Sequence, residues 1–330
     1  MKKLLTDTVS RVYKYVKSND RLRSLYYAAA NSSYFTNYLE HEKMLSDKAR
    51  MNAYHKAIIK HIRKDDIVID LGTGTGILSF FASQKSPKKI YAIEHGKIIE
   101  TAKKVCEHNG IKNIEFINTN SRNFSISEKA DFIIHEQIGA LLFDEHMIEN
   151  LSDLKKRVLK NGGKILPGKF EVFLAPVKLK DHSKVPFLWE HTIHGVKYDC
   201  FEDQKNNINI DAAYRLLKVR PEAVDYFLSE PEKILYYDMD TMTEEDLKNN
   251  YDITVKINRS GSADGFCFYF NIIFDEEIIL STNPLTSVTH WNIPILRTES
   301  KFYGEGEEIK FNLSWKDPSN QESYKWRIIN

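Results

Sequence analysis

The sequence predicts an α/β chain: a few helices, then a parallel sheet covered by helices on both faces, then a mainly antiparallel β half. Three observations carry this. A short apolar run, IVIDLG, ends in glycine and leads into the helix-period segment ILSFFASQ and a second short run, KKIYAIE. Strand and helix go on alternating after it, as in a parallel sheet covered on both faces. Beyond Pro167 the texture changes to segments that alternate apolar and polar residues between turns.

From Leu4 to about Lys60 apolar residues recur at helical spacing, with Asn31-Ser32-Ser33 as a break or cap, so several helices are expected there. After the first strand, helix and strand come a helix around Ile98 to Asn109, strands IEFIN and ADFIIHE, a helix from about Glu145 to Lys160, and GGKILPG. In the second half KFEVFLAPVKL, YDITVKIN, GFCFYFNIIF, EEIILST and GEEIKFNLSW read as strands, with a helical interruption over part of Ile210 to Leu228. A length of 330 residues suggests two cores, at about 150 residues per domain.

Lys+Arg at 47 nearly cancels Asp+Glu at 46, which disfavours a nucleic-acid partner by removing the broad positive field behind nonspecific binding. Cys106, Cys200 and Cys267 are widely spaced and free of any CxxC, so reduced, buried thiols are expected and no zinc site. His191 and His194 lack a convincing third ligand, and no metal is expected. The start MKKLLTDTVSRVYKYVKSNDR soon turns charged, and no apolar run approaches the roughly 18 residues a membrane span needs, which predicts a cytoplasmic protein. Lys155-Lys156-Arg157 reads as a solvated helix face.

The chemistry begins at Asp70-Leu71-Gly72-Thr73-Gly74-Thr75-Gly76, where the first strand turns into the first helix. A dinucleotide fingerprint wants G-x-G-x-x-G, but its third position is Ile77. The tighter GxGxG spacing suits a loop that skirts the methionine part of a sulfonium cofactor, with Glu94 at the end of the second strand on the ribose. Asp70 orients the loop or touches the ligand. The plain alternative is a set of turn glycines and a solvated carboxylate.

A second cluster follows the strand DFII: Glu136 lies at the sheet's C-terminal edge, where open α/β sheets bind ligands, and Glu145 follows nine residues later. Two carboxylates at one rim raise each other's pKa unless a cation joins them. A guanidinium, with five donors in a planar fork, is the natural cation.

Here the sequence resembles the protein arginine methyltransferases, whose double-glutamate loop reads roughly S-E-x-M-G-Y-x-L-x-x-E-S-M. Glu136, Gly139, Leu142, Glu145 and Met147 match it. Tyr34-Phe35-Thr36-Asn37-Tyr38 is similar to the family's YFxxY, and His41 to Asp47 with Arg50 is similar to its HxxMLxDxxR. Ser281-Thr282 through Thr289-His290-Trp291 is similar to its ST-P…THW, and all these strings occur in the family's order.

The resemblance implies a seven-stranded Rossmann-like S-adenosylmethionine domain over 34–167, preceded by a helical segment over 1–33. A β-barrel-like substrate domain would follow over 168–330, with a dimerisation arm at about 180–211. It further implies that Arg50 holds the cofactor carboxylate, Glu94 its ribose, and Glu136 with Glu145 the target guanidinium. Tyr34, Phe35 and Tyr38 would fold over the cofactor on a helix, although Phe35 equally suits a core helix face. Met44 would wall the pocket and Trp291 would border the substrate. His290 would pair with Asp47 across the domains and accept a proton. A monomethyl or asymmetric dimethyl product and a head-to-tail homodimer are also implied, with Phe187, Trp189 and Tyr198 suited either to the arm's interface or to a core.

The match frays around the substrate: Gln137 replaces a bulky residue, Ala140 a tyrosine, and Asn292-Ile293 follows THW. Asn120 and Ser121 fall where an acid would meet the adenine amine. The acceptor is therefore expected to be arginine in a protein or peptide, with free arginine or a small guanidino compound as the alternative. Outside methyl transfer, a nicotinamide oxidoreductase conflicts with the GxGxG spacing. A silent scaffold would gain little from two sheltered carboxylates.

Overall fold

The computed structural model describes residues 37–204 and 212–329. Tyr34, Phe35 and the helices expected before them lie outside the described residues, as does the end of the expected arm.

Two helices open the described chain, α1 (Tyr38–Ser46) and α2 (Lys48–His61). Asp47 separates them and caps α2, its Oδ1 accepting from the Arg50 amide at 3.0 Å. The buried face of α2 is Arg50, Ala53, Tyr54, Ala57 and Ile58, the spacing of one helical stripe against a sheet.

That sheet is parallel, in the order β3 (Ile114–Asn118), β2 (Lys89–Glu94), β1 (Ile67–Leu71), β4 (Ala130–His135), β5 (Leu159–Leu166). All five residues of β1 are buried, so the central strand is covered on both faces. Helices α3 (Ile77–Ser83), α4 (Ile99–His108) and α5 (Met147–Val158) form the crossovers close to the expected bounds. The Rossmann-like reading stands, but among the described residues this sheet has five strands instead of seven. After β5 the chain turns at Pro167-Gly168 into β6 (Lys169–Leu179), which joins a different sheet. A Cβ on Gly168 would sit 2.8 Å from the Ile165 carbonyl oxygen, so the turn closes only over glycine.

The second half is antiparallel. After a small hairpin of β7 (Thr192–Ile193) and β8 (Val196–Lys197) and a one-turn helix α6 (Ala212–Arg215), it contains β9 (Leu216–Val219), β10 (Val224–Phe227), β11 (Glu232–Asp238), β12 (Asn250–Lys256), β13 (Gly261–Ile273), β14 (Ile279–Ser281), β15 (Ile293–Tyr303), β16 (Glu308–Ser314) and β17 (Lys325–Ile329). The longest path runs β10-β6-β13-β15-β9, with β11 on β6 and β14 on β13. A separate sheet runs β12-β16-β17. Apart from the β7–β8 hairpin, the antiparallel strands among the described residues thus form two separate sheets and do not close the expected barrel. The sheets meet where Phe266 of β13 stacks on Phe311 of β16 at 3.8 Å.

The helical interruption expected within part of Ile210 to Leu228 is present among the described residues as α6 and a single 3-10 turn at Pro221–Ala223, short because Pro221 lacks an N–H and disfavours the α conformation at Arg220. One local expectation is corrected. The supposed solvated face of α5 is instead an anchor: Lys155 donates to the Met239 and Asp240 carbonyls at 2.5 and 2.9 Å. Arg157 donates to the carbonyls of Phe124 and Ser121. Of the thiols, Cys106 and Cys267 are buried as expected, whereas Cys200 is exposed.

Because Phe266 is fully buried at the meeting of the two β sheets, replacing it by alanine should cost about 3–5 kcal/mol. Chemical denaturation should show this, with the far-ultraviolet spectrum of the folded protein unchanged.

Candidate active site

The C-terminal ends of β1, β2 and β4 open on a cavity of about 270 Å³. Gly72 and Gly74 line it with Thr73 and Thr75, and both glycines have positive φ, +73° and +54°. A Cβ on Gly74 would meet His41 Cε1 at 3.2 Å. Gly76 is different: it does not border the cavity, and its φ of +92° and a Cβ position 2.5 Å from Phe80 Cζ make it a packing glycine at the start of α3.

Asp70 is likewise corrected. It is fully buried, and its Oδ2 accepts from Thr73 Oγ1 at 2.6 Å, Ser79 Oγ at 2.6 Å and the Ser79 amide at 3.0 Å. The residue shapes the glycine loop from behind and does not reach the cavity. Burial pushes its carboxyl up to about 6, against those hydrogen bonds, which lower it.

On the next strand Glu94 lines the cavity and receives the amides of Gly74 at 3.2 Å and Gly96 at 2.7 Å. Asn120 and Ser121 line it too, in a short turn that Asn120 caps by accepting from the Arg122 amide at 3.0 Å. From the helical side come Met44 and Arg50. Tyr38 does not contribute: it is 62% exposed, with its hydroxyl 3.3 Å from Thr101 Oγ1 on α4.

The loop after β4 brings Glu136 and Glu145 into the same wall. It is a tight structure in which Leu142 and His146 take positive φ, Leu142 donates to the Gly139 carbonyl at 3.0 Å, and Leu141 donates to Asp144 Oδ1 at 3.2 Å. A Cβ on Gly139 would fall 1.8 Å from that Asp144 oxygen, so only glycine fits. Arg50 Nη1 stands 2.7 Å from Glu136 Oε2. Among the described residues Glu145 has no ion pair of that kind, and burial first, then the Glu136 and Asp144 charges, outweigh the more distant Arg50 and Lys218 and hold its carboxyl well above the usual range.

Asp47 joins the halves: its Oδ2 accepts from His290 Nδ1 at 2.9 Å and from the His290 amide at 2.8 Å. Burial alone would raise the Asp47 carboxyl, but these bonds and the Arg50 amide outweigh it and hold it low. Neither residue borders the cavity, so the expected catalytic pair is a positioning pair. Trp291 is corrected in the same way: buried, it donates its indole N–H to the Ile138 carbonyl at 2.9 Å and supports the glutamate loop from behind. Phe187 and Trp189 are buried and stacked on each other at 5.0 Å; Tyr198 is half-buried.

Cavity residues that sequence reasoning did not single out include His41, His146 and Asn150, while Gln137, expected beside the substrate, also lines it. His41 lies inside the string already quoted. Gln137 pairs with Asn150, Nδ2 to Oε1 at 3.4 Å, a contact across the glutamate loop that no spacing rule reveals.

Residues 169–328 match the family described as "Arginine methyltransferase oligomerization subdomain", and residues 62–217 one described as "Methyltransferase domain". Protein arginine N-methyltransferase 6 of Danio rerio is 32% identical over 278 residues, covering 80% of this chain and 78% of that one. The chain belongs to the protein arginine N-methyltransferase family. Another family member, protein arginine N-methyltransferase 1 of Dictyostelium discoideum, is 27% identical over 303 residues, which are 89% of this chain and 86% of that one. Among solved structures, the Trypanosoma brucei PRMT1 enzyme-prozyme complex with AdoHcy superposes with a TM-score of 0.76 at 20% identity, covering 89% of this chain and 94% of that one. Arabidopsis thaliana protein arginine methyltransferase 10, in an open conformation, gives 0.71 at 23%, covering 88% and 92%.

Membership in the arginine methyltransferase family brings S-adenosylmethionine as cofactor, and the residues present fit it. Arg50 Nε and Nη1 are buried without a hydrogen-bond partner, since Nη1 approaches Glu136 without hydrogen-bond alignment. Two such donors suit the cofactor's carboxylate. The bare loop at Gly72 and Gly74 leaves room for its methionine part.

Replacing Gly74 by valine should abolish S-adenosylhomocysteine binding in calorimetry, by strained φ and by collision with His41. The Asp47 contact gives a pH signature. Its folded pKa is lowered, so the folded state binds fewer protons and the contribution is complete above the unfolded value of about 4. It is lost as pH falls through the folded value. Asp47→Asn should therefore lower stability by about 1 kcal/mol at pH 7 and flatten the decline between neutrality and acid; an unchanged acid profile by thermal melting would count against the tie.

Proposed function

We infer that the protein is an S-adenosylmethionine-dependent N-methyltransferase acting on the guanidinium of arginine in a protein or peptide. The observation that carries this reading is the pair Glu136 and Glu145 lining the cofactor cavity, with Glu145 half-buried and in no ion pair among the described residues. S-adenosylmethionine supplies an electrophilic methyl group on a sulfonium. Gly72, Gly74, Arg50, Glu94, Asn120 and Ser121 hold it. Met44, at the cavity wall, keeps water from the reacting atoms.

A guanidinium with a pKa above about 12 is a poor nucleophile while its charge is spread over three nitrogens. Glu136 and Glu145 would bind it by its fork and localise that charge, so that one nitrogen presents electron density and takes the methyl as the carbon–sulfur bond breaks, leaving S-adenosylhomocysteine, while that nitrogen's proton passes to solvent at the cavity mouth. Fixing the two partners in line supplies much of the rate, since positioning is worth about 7–11 kcal/mol in well-oriented systems. Asp47 and His290 keep the glutamate wall seated against α2.

We also propose a division into cofactor and substrate parts near 167/168 and a homodimer. The oligomerization match and the exposed Leu188, Ile193 and Val196 beside the β7–β8 hairpin support the dimer. Among the described residues no helix is long and apolar enough to cross a membrane, and we place the protein in the cytoplasm. Light scattering giving only the 38.4 kDa mass of one chain at every concentration would exclude the dimer.

Mass spectrometry after incubation with labelled cofactor and either an arginine-rich peptide or free arginine tests the activity and separates the two acceptors. Glu145→Gln keeps the shape and removes the clamp's charge, so turnover should fall by about 10²-fold or more while S-adenosylhomocysteine still binds. Near-normal turnover on every acceptor would sink the clamp. The raised Glu145 carboxyl has a consequence of definite sign: binding a cationic guanidinium favours its ionised form, so a proton leaves. Calorimetry at pH 7 in buffers of different ionisation enthalpy should register that release for wild type and not for Glu145→Gln.

A further inference from the structure

Behind the cavity wall lies a polar group that the reaction described above does not use. Tyr54 is fully buried on α2, one turn after Arg50 and on the same helix face. Its ring meets Phe274 edge-on at 4.8 Å, while its hydroxyl has no hydrogen-bond partner among the described residues. Arg50 Nε and Nη1 and Asp70 Oδ1, all buried, are in the same condition. Unpaired buried polar atoms are uncommon and costly, and a phenylalanine would fill the same volume without that cost. Three residues sharing it around one site point to a state of the protein in which the hydroxyl is engaged.

We propose that Tyr54 is a positioning residue for methyl transfer, its hydroxyl donating to the Glu136 carboxylate when the cofactor's carboxylate engages Arg50. The inference rests on the arginine methyltransferase reading and concerns how its clamp is held. In the structure Arg50 is the cation beside Glu136, at 2.7 Å. The same guanidinium carries the free donors that suit the cofactor's carboxylate. As Arg50 turns toward that carboxylate, Glu136 needs another donor to keep its place, and a neutral one leaves its negative charge for the substrate. Tyr54 meets this need: burial, then the Glu136 charge, hold its phenol well above its ordinary pKa, so it remains a neutral O–H. Tyr54 stands on the same buried helix face as Arg50, whose guanidinium meets Glu136, whereas Asp70 already accepts from Thr73 and Ser79; this placement favours Glu136 as the acceptor. Tyr54 thereby makes one helix face report cofactor occupancy to the substrate clamp.

Tyr54→Phe tests this with the full-length protein. The melting temperature without cofactor should stay equal or rise, and S-adenosylhomocysteine affinity should change less than about threefold. The factor by which S-adenosylhomocysteine tightens an arginine peptide should fall about tenfold, and kcat should fall about 10- to 100-fold, as for a lost hydrogen bond to a charged group, with KM for the cofactor little changed. Wild-type kcat and coupling in the variant would overturn the proposal. So would a sharp drop in melting temperature together with lost cofactor binding, which would make the hydroxyl merely structural. If wild type methylates no arginine peptide, the functional reading fails and this inference with it; a methylating wild type matched by its Tyr54→Phe variant removes the inference alone.

Discussion

The arrangement depends on one carboxylate. Asp47 stops α1, caps α2 through the Arg50 amide, and takes both the ring and backbone N–H of His290 from the loop before β15. A side chain that is 1% exposed thus satisfies three donors drawn from both halves of the molecule. Without it the first turn of α2 would lose its cap, Arg50 would lose its fixed origin, and the segment carrying Trp291 would lose its attachment beneath the glutamate loop.

From that anchor the site extends as an arrangement of charge. Glu136 is offset by Arg50, Asp70 is satisfied from behind by hydroxyls, and Glu145 is left to rise. Three acids within one small region remain compatible with folding because each has a different solution to burial: a cation, hydrogen bonds, or neutrality. The third is the one that a cationic substrate reverses. The site therefore stores electrostatic preference for a guanidinium before any substrate arrives.

How far this was legible depended on whether the cause was local. The glycine loop, the acid closing β2 and the spacing of Glu136 and Glu145 are properties of short segments, and each stands where the sequence put it. The alternating strands of the β half read clearly for the same reason. β15 was missed because its charged second half, with Arg297 and Glu299, hides its apolar start. Gly76 was placed at the ligand, and Asp70 was left between ligand and loop, because spacing says that a residue belongs to a loop, not which way it faces; burial and Phe80 decide for the loop in both cases. Trp291 and the α5 cations were misjudged because their partners, Ile138 and Ser121, lie far away in the chain. Among the described residues the sheet stops at five strands because Gly168 turns the backbone after β5 into a different sheet.

The anchoring of α5 has an evolutionary side. The helix starts two residues after Glu145, and near its other end Arg157 grips the Ser121 and Phe124 carbonyls, which hold the turn lined by Asn120. One rigid rod therefore spans the acceptor's carboxylate and the wall beside the nucleoside. A change that retilts this rod would move the turn at Asn120 together with the Glu145 end, so the two walls of the cavity are mechanically linked. Lineages, or engineers, that alter one inherit a change in the other unless residue 157 is altered as well.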